Sequence, residues 1–322
     1  MLTEHMRAAV MRRAGGPEVL RVEQIPEPVP AAGESVIDVV LAGVNYDDVQ
    51  RRSGDEPQPL PAVLGVEVVG RRRSDGRRVA AFLRQGGGYA QVAVAKNAHI
   101  VELPAVIDDR QAIGLLEQGS TGYGALTLAG RLSAGESVAV SAAAGGVGHL
   151  TIQLAVALGA STVIGIASTP EKRDVVMSLG ADSALDPAGS RLAERLLDVS
   201  GGGVDLFVDS VGGDVARAAV AGLAPFGRLV CIGWHGGAPV TPSVPELMER
   251  SVGCSGFWMR HVVDDRPMLD AILDRLFHLA AQGRLVARID RVVSLDEVGS
   301  AHAALAARVT TGKLLVDVNR EA

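Results

Sequence analysis

At 322 residues the chain exceeds one ordinary hydrophobic core, so two domains are expected. With 48% apolar and 21% charged residues it reads as globular rather than extensively disordered. A net charge of −6 argues against a dedicated nucleic-acid binder, because neutralising phosphates needs a basic face.

The opening residues Met1-Leu2-Thr3-Glu4-His5-Met6-Arg7 lack the apolar stretch of a signal peptide, and no apolar run reaches bilayer-spanning length. Cys231 and Cys254 form no CxxC motif, so the cytoplasm is the expected compartment. The first hundred residues read as short strands, Ala8–Met11, Ser35–Ala42, Val63–Gly70, Val79–Phe82 and Ala90–Ala95, broken by Gly15-Gly16-Pro17, the run Pro26–Pro30 and Gly86-Gly87-Gly88. The basic run Arg71–Arg78 has Ser74-Asp75-Gly76 at its centre and reads as a solvated hairpin.

From about Thr121 the rhythm becomes strand, helix, strand, helix. Strands are expected at Ser137–Ser141, Thr162–Ala167, Val204–Asp209 and Arg228–Ile232; helices at His149–Leu158, Pro170–Leu179, about Ser190–Val199 and Val215–Leu223. Near-continuous apolar strands alternating with amphipathic helices imply an α/β fold with a parallel sheet covered on both faces. The tail, with helices at Pro267–Gln282 and Asp296–Ala307 and strands near Arg291–Val293 and Lys313–Val318, does not extend that alternation.

The sharpest motif is Ala142-Ala143-Ala144-Gly145-Gly146-Val147-Gly148, which follows a strand and opens a helix. Small residues there allow a sharp turn and close approach of the backbone to a pyrophosphate, and the helix N-terminus offers N–H groups and partial positive charge. Ala142, Gly145, Gly146, Val147 and Gly148 are therefore candidate cofactor residues. An NAD site places a carboxylate about 20 residues after the last glycine. The region here reads Ile166-Ala167-Ser168-Thr169-Pro170-Glu171-Lys172-Arg173, with Ala167 and Ser168 at that position. Ser168, Lys172 and Arg173 suit a 2′-phosphate, so NADPH is favoured over NADH. Exposed helix cations with no ligand are the plainer alternative for Lys172 and Arg173.

The β-rich region ending in Gly88-Tyr89-Ala90, the segment Leu132–Val138 and the glycine turn together resemble the medium-chain dehydrogenase/reductase superfamily. Gly43-Val44-Asn45 followed by Arg52-Ser53-Gly54, and Val208-Asp209-Ser210-Val211-Gly212-Gly213, are similar to its quinone oxidoreductase (zeta-crystallin-like) branch. The similarity runs from about Arg7 to Val318. It implies a GroES-like catalytic domain with an inserted Rossmann domain: residues 1–118 as the first part of the former, 119–258 as the NADPH-binding domain, and 259–322 returning to complete the catalytic domain. It also implies a homodimer, with Gly253–Trp258 as an edge strand between copies.

By the same resemblance, Asn45 lies near nicotinamide and substrate, Thr121 meets the nicotinamide end, and Lys172 and Arg308 reach the 2′-phosphate. Ser210, Val211 and Gly233, which follow late Rossmann strands, are further cofactor candidates. Tyr46 is a second catalytic candidate, to hydrogen-bond or stack on the acceptor, with a packed core tyrosine as the alternative. Pro187 and Gln50 stand where relatives carry tyrosines, which weakens the case for a quinone more than for hydride chemistry. His149 reads as structural. Trp234, His235 and Gly256-Phe257-Trp258 read equally as cleft walls or as core.

Zinc-dependent members of the superfamily supply Cys near Asn45-Tyr46-Asp47 and His within Leu64-Gly65-Val66-Glu67; neither is present, and two cysteines cannot build a structural zinc lobe. No metal is expected. Without a Lewis acid, a conjugated acceptor, whose developing charge is delocalised, is more plausible than an isolated ketone. The expected activity is NADPH-dependent, zinc-independent hydride transfer to a quinone or enone. The alternatives are an enoyl or alkenal reductase, carrier-bound substrates included, and a non-catalytic NADPH-binding protein.

Overall fold

The computed structural model describes residues 4–188 and 191–321. The chain divides into two compact units: Met1–Glu117, Arg260–Ala281 and Ala287–Ala322 form one, and Gln118–Met259 with Gln282–Val286 the other. No helix among the described residues is long and apolar enough to cross a membrane.

The first unit is built on antiparallel β-structure. β1 (His5–Met11) pairs with β2 (Leu20–Pro26) and with β4 (Ala62–Val63). A larger sheet runs in the order β15 (Ile289–Ser294), β16 (Lys313–Asp317), β3 (Glu34–Val44), β5 (Glu67–Arg72), β6 (Arg78–Phe82), β8 (Ile100–Glu102), with β7 (Val92–Lys96) also paired to β3. Ile37, Val39, Val68, Leu314 and Val316 from this sheet meet Met11 and Leu64 in one apolar core. The closing strand β16 lies between β15 and β3, so the chain's tail sits in the middle of a sheet begun near residue 34.

The run Val63–Gly70 is not one strand. It breaks at 64–66, where the chain turns at Gly65 (φ +93), and its two halves enter different sheets. β2 and the helix α1 (Tyr46–Ser53) have no counterpart in the periodicity reading. Asn45 and Asp48 form a capping box that starts α1, and Gly54 in the left-handed region ends it. The basic run does form a hairpin between β5 and β6. Its charges are neutralised locally: Arg72 pairs with Asp75 and Glu102, Arg73 with Glu27 and Asp38, Arg77 with Glu102, and Arg78 with Asp109.

The second unit carries a six-stranded parallel sheet in the order β11 (Ser183–Leu185), β10 (Thr162–Ile166), β9 (Ser137–Val140), β12 (Val204–Asp209), β13 (Leu223–Cys231), β14 (Gly253–Gly256). All four residues of β9 are buried, as a strand covered on both faces requires. Helices Gly148–Ala157, Pro170–Ser178, Leu192–Ser200 and Gly213–Ala221 connect the strands. Ser190, the expected start of the third of these, lies outside the described residues. This is the doubly wound Rossmann arrangement, and its strand order reverses between β9 and β12. In such sheets ligands bind outside the carboxyl ends of the strands at that reversal.

Candidate functional site

The carboxyl end of β9 runs straight into the glycine turn. Ala143 N donates to Ile166 O at 3.0 Å and Ser141 N to Val208 O at 3.0 Å, so the turn is stitched to both neighbouring strands. Ala142 takes the left-handed region (φ +45), and Gly145 N closes back onto Ala142 O at 2.8 Å. Gly148 opens the helix so close to the turn that a Cβ there would lie 2.3 Å from Ala142 O and 2.7 Å from Ala143 Cα. Gly146 lies against the Gln118 side chain. Gly145, Gly146 and Val147 remain half-exposed. Small residues, tight backbone and a helix N-terminus thus meet at one point, and a side chain at Gly148 would run into the backbone of the turn; such a geometry suits an anion. His149 is buried, with Nδ1 2.8 Å from Gly145 O, so it braces the turn.

Asp209, wholly buried at the end of β12, organises the adjacent loop and was not singled out from the sequence. It accepts from Ser141 Oγ at 2.5 Å, Val211 N at 3.0 Å and Gly212 N at 2.9 Å, while Ser210 N donates to Ser141 Oγ at 2.9 Å. Gly233, half-exposed after β13, opens a loop whose His235 N and Gly236 N donate to Ser210 O and Val211 O at 3.0 and 2.7 Å. Ser210, Val211 and Gly233 are thereby brought together.

At the end of β10, Ser168 is exposed, and Thr169 caps the helix by accepting from Lys172 N at 3.3 Å. Lys172 is half-exposed in the first turn. Arg173 has structural partners: Nη1 donates to Ala167 O at 3.0 Å and lies 3.2 Å from Asp186. No carboxylate stands at Ala167 or Ser168 themselves. Thr121 is buried in the short helix Ser120–Gly124, between two π-helical turns, Leu115–Gly119 and Ala125–Ala129. Such turns are rare and concentrate at functional sites. Trp234 and Trp258 are both more than half exposed, whereas Phe257 packs its ring on Gly124.

Asn45, Tyr46 and Arg308 belong to the first unit. Arg308 is exposed, in the left-handed region (φ +57), just after the helix Val298–Ala306. Asn45 is buried within a polar network. Its Oδ1 accepts from Lys313 Nζ at 2.8 Å and its Nδ2 donates to Glu67 Oε1 at 2.9 Å. Lys313 and Glu67 also pair directly, both wholly buried. Glu67 Oε2 accepts from Glu117 N at 3.0 Å. Gly43 makes room for this carboxylate, since a Cβ there would lie 2.3 Å from Glu67 Oε1.

On the other side, Asp48 accepts from Asn45 N (3.0 Å), Gly65 N (2.9 Å) and Tyr89 Oη (3.0 Å), and Tyr89 Oη lies 3.1 Å from His302 Nε2. Burial holds His302 down to about 3, so its ring is neutral. Burial and the neighbouring Asp48 raise Asp47 to about 7, and burial with the neighbouring Glu67 raises Glu117 to about 8. Tyr46 is half-buried at the head of α1. Glu67, Lys313, Asp48, Glu117 and His302 all escaped the reading of the sequence. The one local signal was the Asn45–Asp48 capping-box spacing.

Comparison with known proteins agrees with this architecture. A family model described as zinc-binding dehydrogenase matches residues 146–276. A quinone oxidoreductase of Pseudomonas aeruginosa is 33% identical over 314 residues, covering 94% of this chain and 96% of that protein. A 2-haloacrylate reductase of a Burkholderia species is 30% identical over 96% of this chain and 98% of its own length. The structure of Escherichia coli quinone oxidoreductase complexed with NADPH superposes with a TM-score of 0.90 at 29% identity, covering 98% of this chain and 99% of that one. The chain belongs to the medium-chain dehydrogenase/reductase superfamily, in its quinone oxidoreductase (zeta-crystallin-like) branch, and is an oxidoreductase with a GroES-like unit and a Rossmann unit.

Proposed function

We propose that the protein is an NADPH-dependent reductase of quinones or other conjugated acceptors, working without zinc as a cytoplasmic homodimer. The observation that carries this reading is the glycine turn at the end of β9, joined to a β10 end that presents Ser168 and Lys172 where an NAD site carries an acid. Two relatives point the same way: Escherichia coli quinone oxidoreductase was solved with NADPH, and the Pseudomonas aeruginosa protein is a quinone oxidoreductase.

The residues present fit the dinucleotide. The N–H groups at the start of helix Gly148–Ala157 would hold the diphosphate, with Gly145, Gly146 and Val147 lining the turn and Ala142 shaping it. Ser168 and Lys172 would take the 2′-phosphate. Arg173, committed to Asp186 and Ala167 O, would lend positive potential and hold the segment in place. We assign Ser210, Val211, Gly233 and Thr121 to the remainder of the cofactor and Arg308 to the 2′-phosphate. When bound, NADPH supplies the hydride. Asn45 and Tyr46 are the residues proposed to face the acceptor.

The donor set does not fit a zinc ion in the superfamily's manner. No Cys lies near Asn45-Tyr46-Asp47 and no His within Leu64-Gly65-Val66-Glu67, and the cation lodged beside Asn45 and Glu67 is the Lys313 ammonium. An acceptor that delocalises charge suits this arrangement. The 2-haloacrylate reductase relative favours a second reading, reduction of an activated C=C in an unsaturated acid, aldehyde or ketone.

Steady-state assays of quinones, 2-alkenals and 2-haloacrylates with NADPH separate the two readings; turnover of none of them sinks both. For the cofactor, Lys172→Ala is expected to weaken NADPH by about tenfold, the value of one charge-assisted contact, and to leave NADH almost unchanged. Equal weakening of both, in fluorescence titrations, removes the phosphate assignment.

A further inference from the structure

Lys313 and Glu67 are both wholly buried. Removing two charges from water costs several kcal/mol per ion, so a buried pair is a poor device for stability alone, and apolar residues of the same volume do as well or better. What the pair does geometrically is specific. An ammonium only donates and a carboxylate only accepts. Asn45 sits between them, its Oδ1 against Lys313 and its Nδ2 against Glu67, so a flipped amide would face donor with donor and acceptor with acceptor. The orientation of Asn45 is therefore dictated by charge.

The consequences spread from there. Asn45 is the N-cap of α1, and Tyr46 is its first residue. Asp48, the other half of the capping box, ties the same turn to Gly65 and Tyr89. Glu67 also holds the backbone of Glu117, at the π-helical turn Leu115–Gly119. Three distant stretches, the end of β3, the start of β5 and the start of β16, meet on this one ion pair.

We propose that Glu67 and Lys313 are positioning residues for hydride transfer, their buried ion pair locking the Asn45 amide and setting Tyr46 at the head of α1 for the acceptor. This rests on the reading that Asn45 and Tyr46 meet the acceptor. Lys313 supplies a fixed positive charge whose field falls on the Asn45 amide. No bond is made or broken at either residue.

The test is a double-mutant cycle with Lys313→Met, Glu67→Gln and the pair combined, reading kcat, KM, NADPH affinity and unfolding separately. Each single variant is expected to lower kcat by about 10- to 100-fold, as misplacement of a positioned group does, with KM and NADPH affinity little changed. The combined variant removes both charges and is expected to regain stability while kcat stays down by about tenfold or more. Wild-type kcat in a stable combined variant overturns the proposal, because the pair would then be structural.

Asn45→Ala and Tyr46→Phe check the underlying reading. If neither changes kcat on any acceptor, that reading fails and this proposal falls with it, whatever the cycle shows. A crystal structure of the wild-type NADPH complex decides without turnover and without any variant. Asn45 still bracketed by Lys313 and Glu67 supports the clamp, and Asn45 released from either overturns it.

Discussion

The two units build their functional surfaces from different materials. The turn at Ser141–Gly148 is held mostly by backbone groups, and Asp209 accepts from Ser141 Oγ and from the N–H groups of Val211 and Gly212 in the neighbouring loop. The polar network of the first unit is almost entirely side chain, with Asn45, Asp48, Glu67, Tyr89, His302 and Lys313 contributed by the N-cap of α1, α1 itself, β5, a loop, a tail helix and β16. A backbone site depends on shape and tolerates few side chains. A side-chain site depends on every partner being present, because an orphaned buried charge has nowhere to go.

That contrast can be broken in four ways, in order of expected size. Lys313→Met leaves Glu67 buried without its counter-charge and should cost about 3–5 kcal/mol of unfolding free energy; a loss below about 1 kcal/mol in urea titrations would mean that water reaches the carboxylate. Gly148→Val drives a side chain into the backbone at Ala142 and Ala143 and should cost about 3 kcal/mol or more, with loss of NADPH binding. Retention of both would show that the turn yields.

His302 gives the pH test. Its folded value, about 3, lies below the unfolded reference near 6.5, so the unfolded chain binds the extra proton first. Stability from this residue is complete above pH ~6.5 and falls as pH drops through the window to ~3, by about 2 kcal/mol at pH 5. His302→Gln should flatten that part of the profile; an unchanged slope assigns the acid sensitivity elsewhere. The smallest effect is expected at Arg173→Ala. Loss of an edge ion pair and one carbonyl contact should cost about 1 kcal/mol, with less change in NADPH-over-NADH preference than Lys172→Ala produces. A larger change in preference would move the phosphate contact from Lys172 to Arg173.

Much of the Rossmann unit was legible because its signals are local. A buried strand, a glycine turn and a helix start follow one another within twelve residues, from Ser137 to Gly148, and the missing acid after β10 is read from the same stretch. β11 and β14 were harder. They are a three-residue and a four-residue edge strand with little apolar patterning; β11 went unread, and an edge strand at Gly253–Trp258 was expected from the family resemblance alone. In the other unit, Val63–Gly70 looked continuous because apolar periodicity does not register a turn at Gly65 that sends its halves to different sheets.

The sequence alone determined most of the strand–helix alternation of the Rossmann unit, its parallel sheet and the dinucleotide turn, since each depends on residues that are neighbours along the chain. Only the tertiary structure decided what surrounds Asn45. Its partners Glu67 and Lys313 lie 22 and 268 positions away. Each stands at the first position of its strand, before a short apolar run, where a charge has no local meaning until the fold supplies its counter-charge. Pairings of that kind are set by sheet topology, and no spacing rule within a single segment encodes them.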